Sequence, residues 1–169
     1  MAIRTIVTTP DPVLRRKAHK VTVFDKDLQA LIDDMIETMR QAPGVGLAAP
    51  QIGVSQRVIV VEYGDDENEE TPKKLYALVN PEIVAGSEDL VEGTEACLSI
   101  PRIQGDVERH EKLQVKGFNR QGKQVKLKLS GWMARIFQHE IDHLDGILFT
   151  DRASHVWRIK ETEEMVDSV

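Results

Sequence analysis

The sequence predicts an α+β fold of mostly antiparallel sheets packed around a central helix that bears a His-Glu-x-x-His motif, with an amphipathic helix near the N-terminus. Three features of its 169 residues lead there. Two segments carry apolar residues at helical spacing, several short segments carry β-branched runs or strict alternation, and strands do not alternate with helices as parallel sheets require. From Asp25 to Gln41 the residues Leu28, Leu31, Ile32, Met35, Ile36 and Met39 recur three and four apart, with Asp25 as N-cap and Pro43 as stop. Val58 to Val61 form a β-branched run within a strand over Arg57 to Tyr63, and Gly64 opens an acidic loop. Leu75 to Asn80 is a second strand, closed by Pro81. Leu113 and Val115, then Val125, Leu127 and Leu129, alternate with polar residues on either side of Asn119-Arg120-Gln121-Gly122, the pattern of a hairpin. A second helix starts near Trp132 and runs to about Asp145, where Gly146 fits a C-terminal cap.

Composition narrows the class. The length suits one domain with a core of its own, and a single cysteine cannot make an internal disulfide, which fits a reducing compartment. Net charge is −6, and six acids (Glu62, Asp65, Asp66, Glu67, Glu69, Glu70) fall within nine residues. The negative balance thus sits in the loop 62–70 and gives no basic footprint for sequence-independent binding to nucleic acid, and no sequence-specific nucleic acid is expected as a partner. Met1 to Pro10 has no signal-like apolar run, and no stretch approaches the ~20 apolar residues of a spanning helix. These features lead to the expectation of a cytoplasmic protein without membrane attachment; the alternative is an organelle stroma or matrix, as a processed form.

His139-Glu140-Ile141-Asp142-His143 carries chemistry. At about 100° per residue the two histidines lie about 40° apart and one turn along the helix, so both imidazoles can reach one metal ion. Glu140 falls inside the apolar arc of Met133, Ile136, Phe137, Ile141 and Leu144, where desolvation would raise its pKa toward the range of a general acid and base. Arg135, Gln138, Asp142 and Asp145 form a separate polar face. Ordinary helices also match a five-residue pattern by chance, so a third ligand must be sought. The metzincin position for a third histidine is Phe149, which fails. Glu161, Glu163 and Glu164 lie in an acidic tail with few apolar anchors, and His19 and His155 read as surface histidines. Cys97 would complete a Cys and two His set with a position left for water; its other reading is a small buried apolar side chain.

Three motifs together resemble the peptide deformylase family, in its order and at compatible spacing: Gly44-Val45-Gly46-Leu47-Ala48-Ala49-Pro50-Gln51, Glu95-Ala96-Cys97-Leu98-Ser99 and Gln138-His139-Glu140-Ile141-Asp142-His143-Leu144. The resemblance runs from about Ile6 to Arg152. Gly44, Gly46 and Ala49 also satisfy a dinucleotide fingerprint, but a helix precedes them and Pro50 prevents the helix that should follow, so the segment reads as a loop of small residues. Ala96 departs from the pattern, which has glycine there, a residue able to adopt special backbone angles or to let a peptide pass closely.

The resemblance implies a catalytic domain over 1–152, with 153–169 as an acidic tail or short helix. It implies hydrolysis of the formyl group from N-formylmethionyl peptides and nascent chains, giving formate and a free amine, with transient ribosome contact. Cys97, His139 and His143 would hold one divalent metal, Fe²⁺ in the cell, with Zn²⁺, Ni²⁺ or Co²⁺ as alternatives. Glu140 would take a proton from water and pass it to the departing amine, while the Gln51 amide and the Leu98 backbone N–H meet the oxyanion. Val45, Gly46, Glu95 and Ala96 would line the substrate backbone, and Trp132 and Ile136 a methionine pocket with Arg135 at its mouth. Two rival readings are a zinc protease with a tail glutamate as third ligand, and a catalytically silent, ribosome-associated relative.

Overall fold

The computed structural model describes residues 2–64, 70, 72–160 and 166–168. Asp25 opens helix α1 (Lys26–Gln41) by accepting the Leu28 N–H at 3.0 Å. The helix buries Leu28, Leu31, Ile32, Met35, Ile36 and Met39, which pack with Leu47, Val58 and Val60. On its flank, Asp34 and Thr38 accept the Ala2 and Arg4 N–H groups at 2.7 and 2.9 Å, tying down the start of the chain.

Among the described residues eight strands form two antiparallel sheets. The larger has the order β1 (Gly46–Ala48), β2 (Val58–Tyr63), β3 (Lys74–Gly86), β6 (Lys112–Phe118), β7 (Gln124–Ser130). The smaller has the order β4 (Leu90–Cys97), β5 (Ile100–His110), β8 (His155–Arg158). Helix α2 (Gly131–Leu144) stands between them. Ala134, Ile136, Phe137, Ile141 and Leu144 share one core with Ile59, Val61, Leu78 and Val115 of the larger sheet. The opposite flank of α2 bonds to β4 and β5 through charged side chains described below. Gly146 ends the helix region at φ +75°, where a Cβ would stand 2.6 Å from the Arg15 carbonyl, so only glycine fits. A single turn, α3 (Phe149–Arg152), leads into β8.

The β6–β7 hairpin turns where expected. Asn119 Oδ1 accepts the Gln121 and Lys123 N–H groups at 3.0 and 2.9 Å, and Gly122 takes φ +87°.

Several elements differ from the sequence expectation. β3 does not close at Pro81 but continues to Gly86, because the register with β6 shifts between Val79 and Glu82; Pro81 falls in that bulge, where no ladder N–H is required. The segment 44–51 is not all loop: it contains β1 and a 3₁₀ turn, Ala49–Ile52. The β4–β5 hairpin, turned at Leu98-Ser99, has no counterpart in the sequence expectation. Residues after 152, expected as a tail or short helix, include β8, paired with β5 from Ile103↔Arg158 to Asp106↔His155. Glu62, counted among the loop's acids, lies within β2 as the strand over 57–63 predicts, and pairs with Arg40 at 2.7 Å. Asp65, Asp66, Glu67 and Glu69 of that loop, and Glu161, Glu163 and Glu164, lie outside the described residues. Among the described residues no helix is long and apolar enough to cross a membrane.

Candidate metal centre

The second half of α2 brings His139 and His143 to one place, and β4 delivers Cys97 as its last residue, just before the Leu98-Ser99 turn that pairs Cys97 with Ile100. The ligand-capable atoms of Cys97, His139 and His143 lie within 4.8 Å of one another, all buried, with Cys97 Sγ 3.4 Å from His143 Nε2. His139 Nδ1 is 2.8 Å from Glu95 Oε1. A carboxylate there can only accept, so Nδ1 carries the hydrogen and the lone pair of Nε2 faces the cluster. That Nε2 is buried and has no protein partner. Burial, with the neighbouring His139 and Arg109, pushes the His143 pKa well below the usual imidazole range, which keeps the ring neutral and able to ligate. Burial pushes the Cys97 thiol up, despite the Ser99 N–H, and the charges of Glu140 and Glu95 act in the same direction as burial. A thiolate here needs a compensating cation, and two imidazoles with one thiolate suit a borderline divalent ion.

Glu140 is fully buried and neither carboxyl oxygen has a protein partner. Burial, then the charge of Glu95, raises its pKa well above the usual carboxylate range. Room for it comes from Gly46, where a Cβ would stand 2.5 Å from Glu140 Oε2 and 3.0 Å from Ile136 Cγ2. Gln51, also fully buried, is oriented by the Ala48 N–H on its Oε1 at 3.0 Å, and its Nε2 lies 3.6 Å from Cys97 Sγ and 3.2 Å from Ser99 Oγ.

Behind the cluster is a buried charge network that sequence reasoning missed. Glu95, expected to line the substrate backbone, is instead buried, with both carboxylate oxygens taken up: it accepts both arms of Arg109 at 2.9 Å, Arg135 at 2.6 Å and His139. Burial opposes its ionisation, but the hydrogen bonds from Arg109 and His139 outweigh that and hold Glu95 well below the usual carboxylate range. Arg109 reaches on to Asp142 at 2.6 Å, which also takes a two-pronged pair from Arg152 at 2.7 and 3.0 Å. The available signal was Glu95 itself, two residues from Cys97, a carboxylate too close to a buried thiol to go without cations.

The polar face of α2 is therefore not solvated. Arg135, Gln138 and Asp142 are buried under β4 and β5. Arg135 shares the lining of a cavity with Trp132, but its guanidinium bonds inward to Glu95 and to the carbonyls of Val107 and Val91, because β4 and β5 cover that side of the helix. Trp132 is half-buried with the Arg135 guanidinium 5.4 Å from its ring. Ile136 is buried beside Gly46 and Glu140. Val45 and Gly46 line one side of the centre, and Ala96, with an ordinary backbone angle and a fully buried Cβ, lies on the other. Leu98 Cδ1 approaches Gly44, within 2.9 Å of where a Cβ would be. Phe149, at the metzincin position, stacks on His139 with ring centroids 5.8 Å apart. His19 and His155 are exposed and outside the cluster.

Comparison with known proteins agrees along nearly the whole chain. The family profile of polypeptide deformylases matches residues 3–158. A peptide deformylase of Symbiobacterium thermophilum is 54% identical over 164 residues, 97% of this chain and 73% of that protein. Peptide deformylase 1 of Bacillus subtilis is 48% identical over 165 residues, 98% of this chain and 99% of that protein. The crystal structure of the Thermotoga maritima peptide deformylase superposes with a TM-score of 0.83 at 42% identity, covering 92% of this chain and 100% of that one. A Met-Ala-Ser bound structure of the class I type b peptide deformylase from Acinetobacter baumannii superposes equally, with a TM-score of 0.83 at 38% identity over 89% of this chain and 98% of that one. The chain belongs to the polypeptide deformylase family, enzymes whose activity is metal-dependent removal of the N-terminal formyl group.

Proposed function

We propose that Cys97, His139 and His143 hold one divalent metal, iron in the cell, with zinc, nickel or cobalt able to replace it, and that the residues around them hydrolyse the formyl amide of N-formylmethionyl peptides and nascent chains. One observation carries this reading: a neutral imidazole nitrogen without a partner and a buried thiol converge beside a buried carboxyl group that also lacks one. The ion would supply an acidified water and polarise the formyl carbonyl. Glu140, whose pKa is raised by burial, takes the proton as the C–O bond forms and gives it to the nitrogen as the C–N bond breaks, releasing formate and a free amine. Gln51 Nε2 and the Leu98 backbone N–H supply donors for the developing oxyanion. Glu95 fixes the His139 tautomer.

Val45, Gly46 and Ala96 line the substrate backbone, and Trp132 and Ile136 bound the methionine pocket from α2. Arg135 acts behind that wall, through Glu95. Residues 1–152 carry the catalytic machinery, and the segment after them adds β8. The Met-Ala-Ser ligand of the A. baumannii relative supports a methionine-first peptide as substrate. Brief contact with the ribosome and work in the cytoplasm follow from that substrate.

Turnover of formyl-Met-Ala-Ser by protein loaded with iron without oxygen tests the function. Expected is turnover that falls by about 10²–10⁴-fold in Glu140→Ala with metal content kept; equal rates from both proteins would sink the reading and leave the silent relative. Cys97→Ser is expected to lose most bound metal. Full retention would remove the cysteine ligand and favour a glutamate in its place.

A further inference from the structure

Two sheet edges face each other across the metal cluster. β4 is the outer strand of the smaller sheet and ends on Cys97, while β1 is the outer strand of the larger sheet and starts at Gly46, against Glu140. Outer strands offer unpaired main-chain groups that recruit an extended segment by adding it as a further strand.

In this structure the recruited segment is the chain's own. Ser168 forms a parallel bridge with Ala96, whose antiparallel partner Gln104 occupies the other side of β4. The Ser168 carbonyl accepts the Val45 N–H at 3.0 Å. Gly44 permits the approach, since a Cβ there would stand 3.1 Å from the Ser168 carbonyl oxygen. One residue thus pairs with one rim of a single slot and bonds to the other, and each rim adjoins the chemistry: Ala96 precedes Cys97, and Val45 precedes Gly46. Ser168 is held through its backbone, and Asp167 beside it is exposed.

We propose that residues 166–168 act as an internal competitor, filling the slot that an extended peptide must occupy to bring its N-terminus to the metal cluster. This rests on the site assignment above. A substrate class with one fixed first residue and variable followers must be gripped by its main chain, and Val45 and Ala96 are the main-chain groups at hand on the two rims. The segment already uses both. A peptide therefore binds only by displacing it, and a segment in place in about nine molecules of ten weakens peptide binding about tenfold. Because the hold is by main-chain bonds on a tethered segment, it is strong enough to occupy the slot and weak enough to yield.

The test uses nickel-loaded protein in three forms: the full chain, the full chain with Ser168→Pro, and a chain ending at Lys160, which keeps β8. Calorimetry with Met-Ala-Ser reads affinity without turnover, and steady-state kinetics with formyl-Met-Ala-Ser read KM and kcat. Both altered forms are expected to bind Met-Ala-Ser about tenfold more tightly, with KM lowered by a similar factor and kcat unchanged. A synthetic peptide of residues 161–169 is expected to compete with Met-Ala-Ser on the shortened chain. Unchanged affinity in both altered forms, or lower melting temperatures with no gain in affinity, would overturn the proposal and make the segment a structural strap. Absence of turnover above Glu140→Ala in every form would strike the site assignment instead, and the calorimetric comparison separates the two failures.

Discussion

Glu95 meets three cationic or potentially cationic partners in a buried site, and each of them serves a different neighbour. Replacing it by glutamine keeps the shape but leaves Arg109 and Arg135 without their common charge. Loss of one member of such a buried group costs roughly 3–5 kcal/mol, because the remaining charges stay desolvated. Glu95→Gln is therefore expected to lower stability by that order in urea unfolding, and to weaken metal binding about 10- to 100-fold in a chelator competition, since His139 loses the anion that fixes its tautomer. A stability loss with unchanged metal affinity would show that the network only supports the fold. At this scale the sequence was legible where chemistry demanded particular residue types. Two histidines one helical turn apart, a carboxylate between them inside an apolar arc and a lone cysteine upstream all lie at the centre. Arg135 was not legible. A helical wheel places charge on a face but cannot say what covers that face, and here β4 and β5 do.

Helix α1 and the strand hairpins show where local patterning suffices. Apolar spacing over 25–41 names the side chains that α1 buries, and Asn119 with Gly122 specifies the β6–β7 turn through hydrogen bonds within a few residues. β4 and β5 had no such signal. Leu90 and Val91 are exposed, Glu95 and Arg109 are buried, and the alternation of apolar with polar residues fails in both directions. Pro81 misled for a related reason: its effect depends on register with β6, which lies far along the chain. The charges that tie elements together also set a pH dependence. Asp34 on α1 is held below the usual carboxylate range, first by the Ala2 N–H and then by Arg4, with burial opposing them. A depressed pKa stabilises the fold fully above the ordinary value near 3.8, and the contribution disappears as pH falls through the lower folded value. Asp34→Ala is expected to cost about 1–2 kcal/mol at neutral pH, discounted because Arg4 is part-exposed, and the difference from the parent should vanish in strong acid. Unfolding curves across that range check it; a constant difference would assign the loss to packing.

The whole molecule depends on two sheets that meet through α2, with the residues proposed as metal ligands supplied from both α2 and β4. A bound ion then cross-links parts that are distant in sequence, so its removal is expected to lower the melting temperature by several degrees, as any ligand of the folded state alone does. The same ion governs oxidative damage. With a thiolate as one ligand, peroxide is expected to abolish activity of the iron form while the nickel form keeps most of it, followed by residual turnover of formyl-Met-Ala-Ser. Equal sensitivity of the two forms would point to oxidation at a site other than the metal and its sulfur.

The cap at Gly146 carries a consequence for synthesis. Its backbone lies against Arg15, the Ala18 N–H donates to the Leu144 carbonyl at 2.8 Å, and Arg57 donates to the same carbonyl at 2.9 Å. The helix that bears both histidines is thus anchored by residues made well before it. During translation Ala18 and the sheet face of Ile59, Val61 and Leu78 stay uncovered until α2 has emerged to pack on them. An enzyme that trims the starts of other growing chains can begin its own work only after its own α2 has left the ribosome.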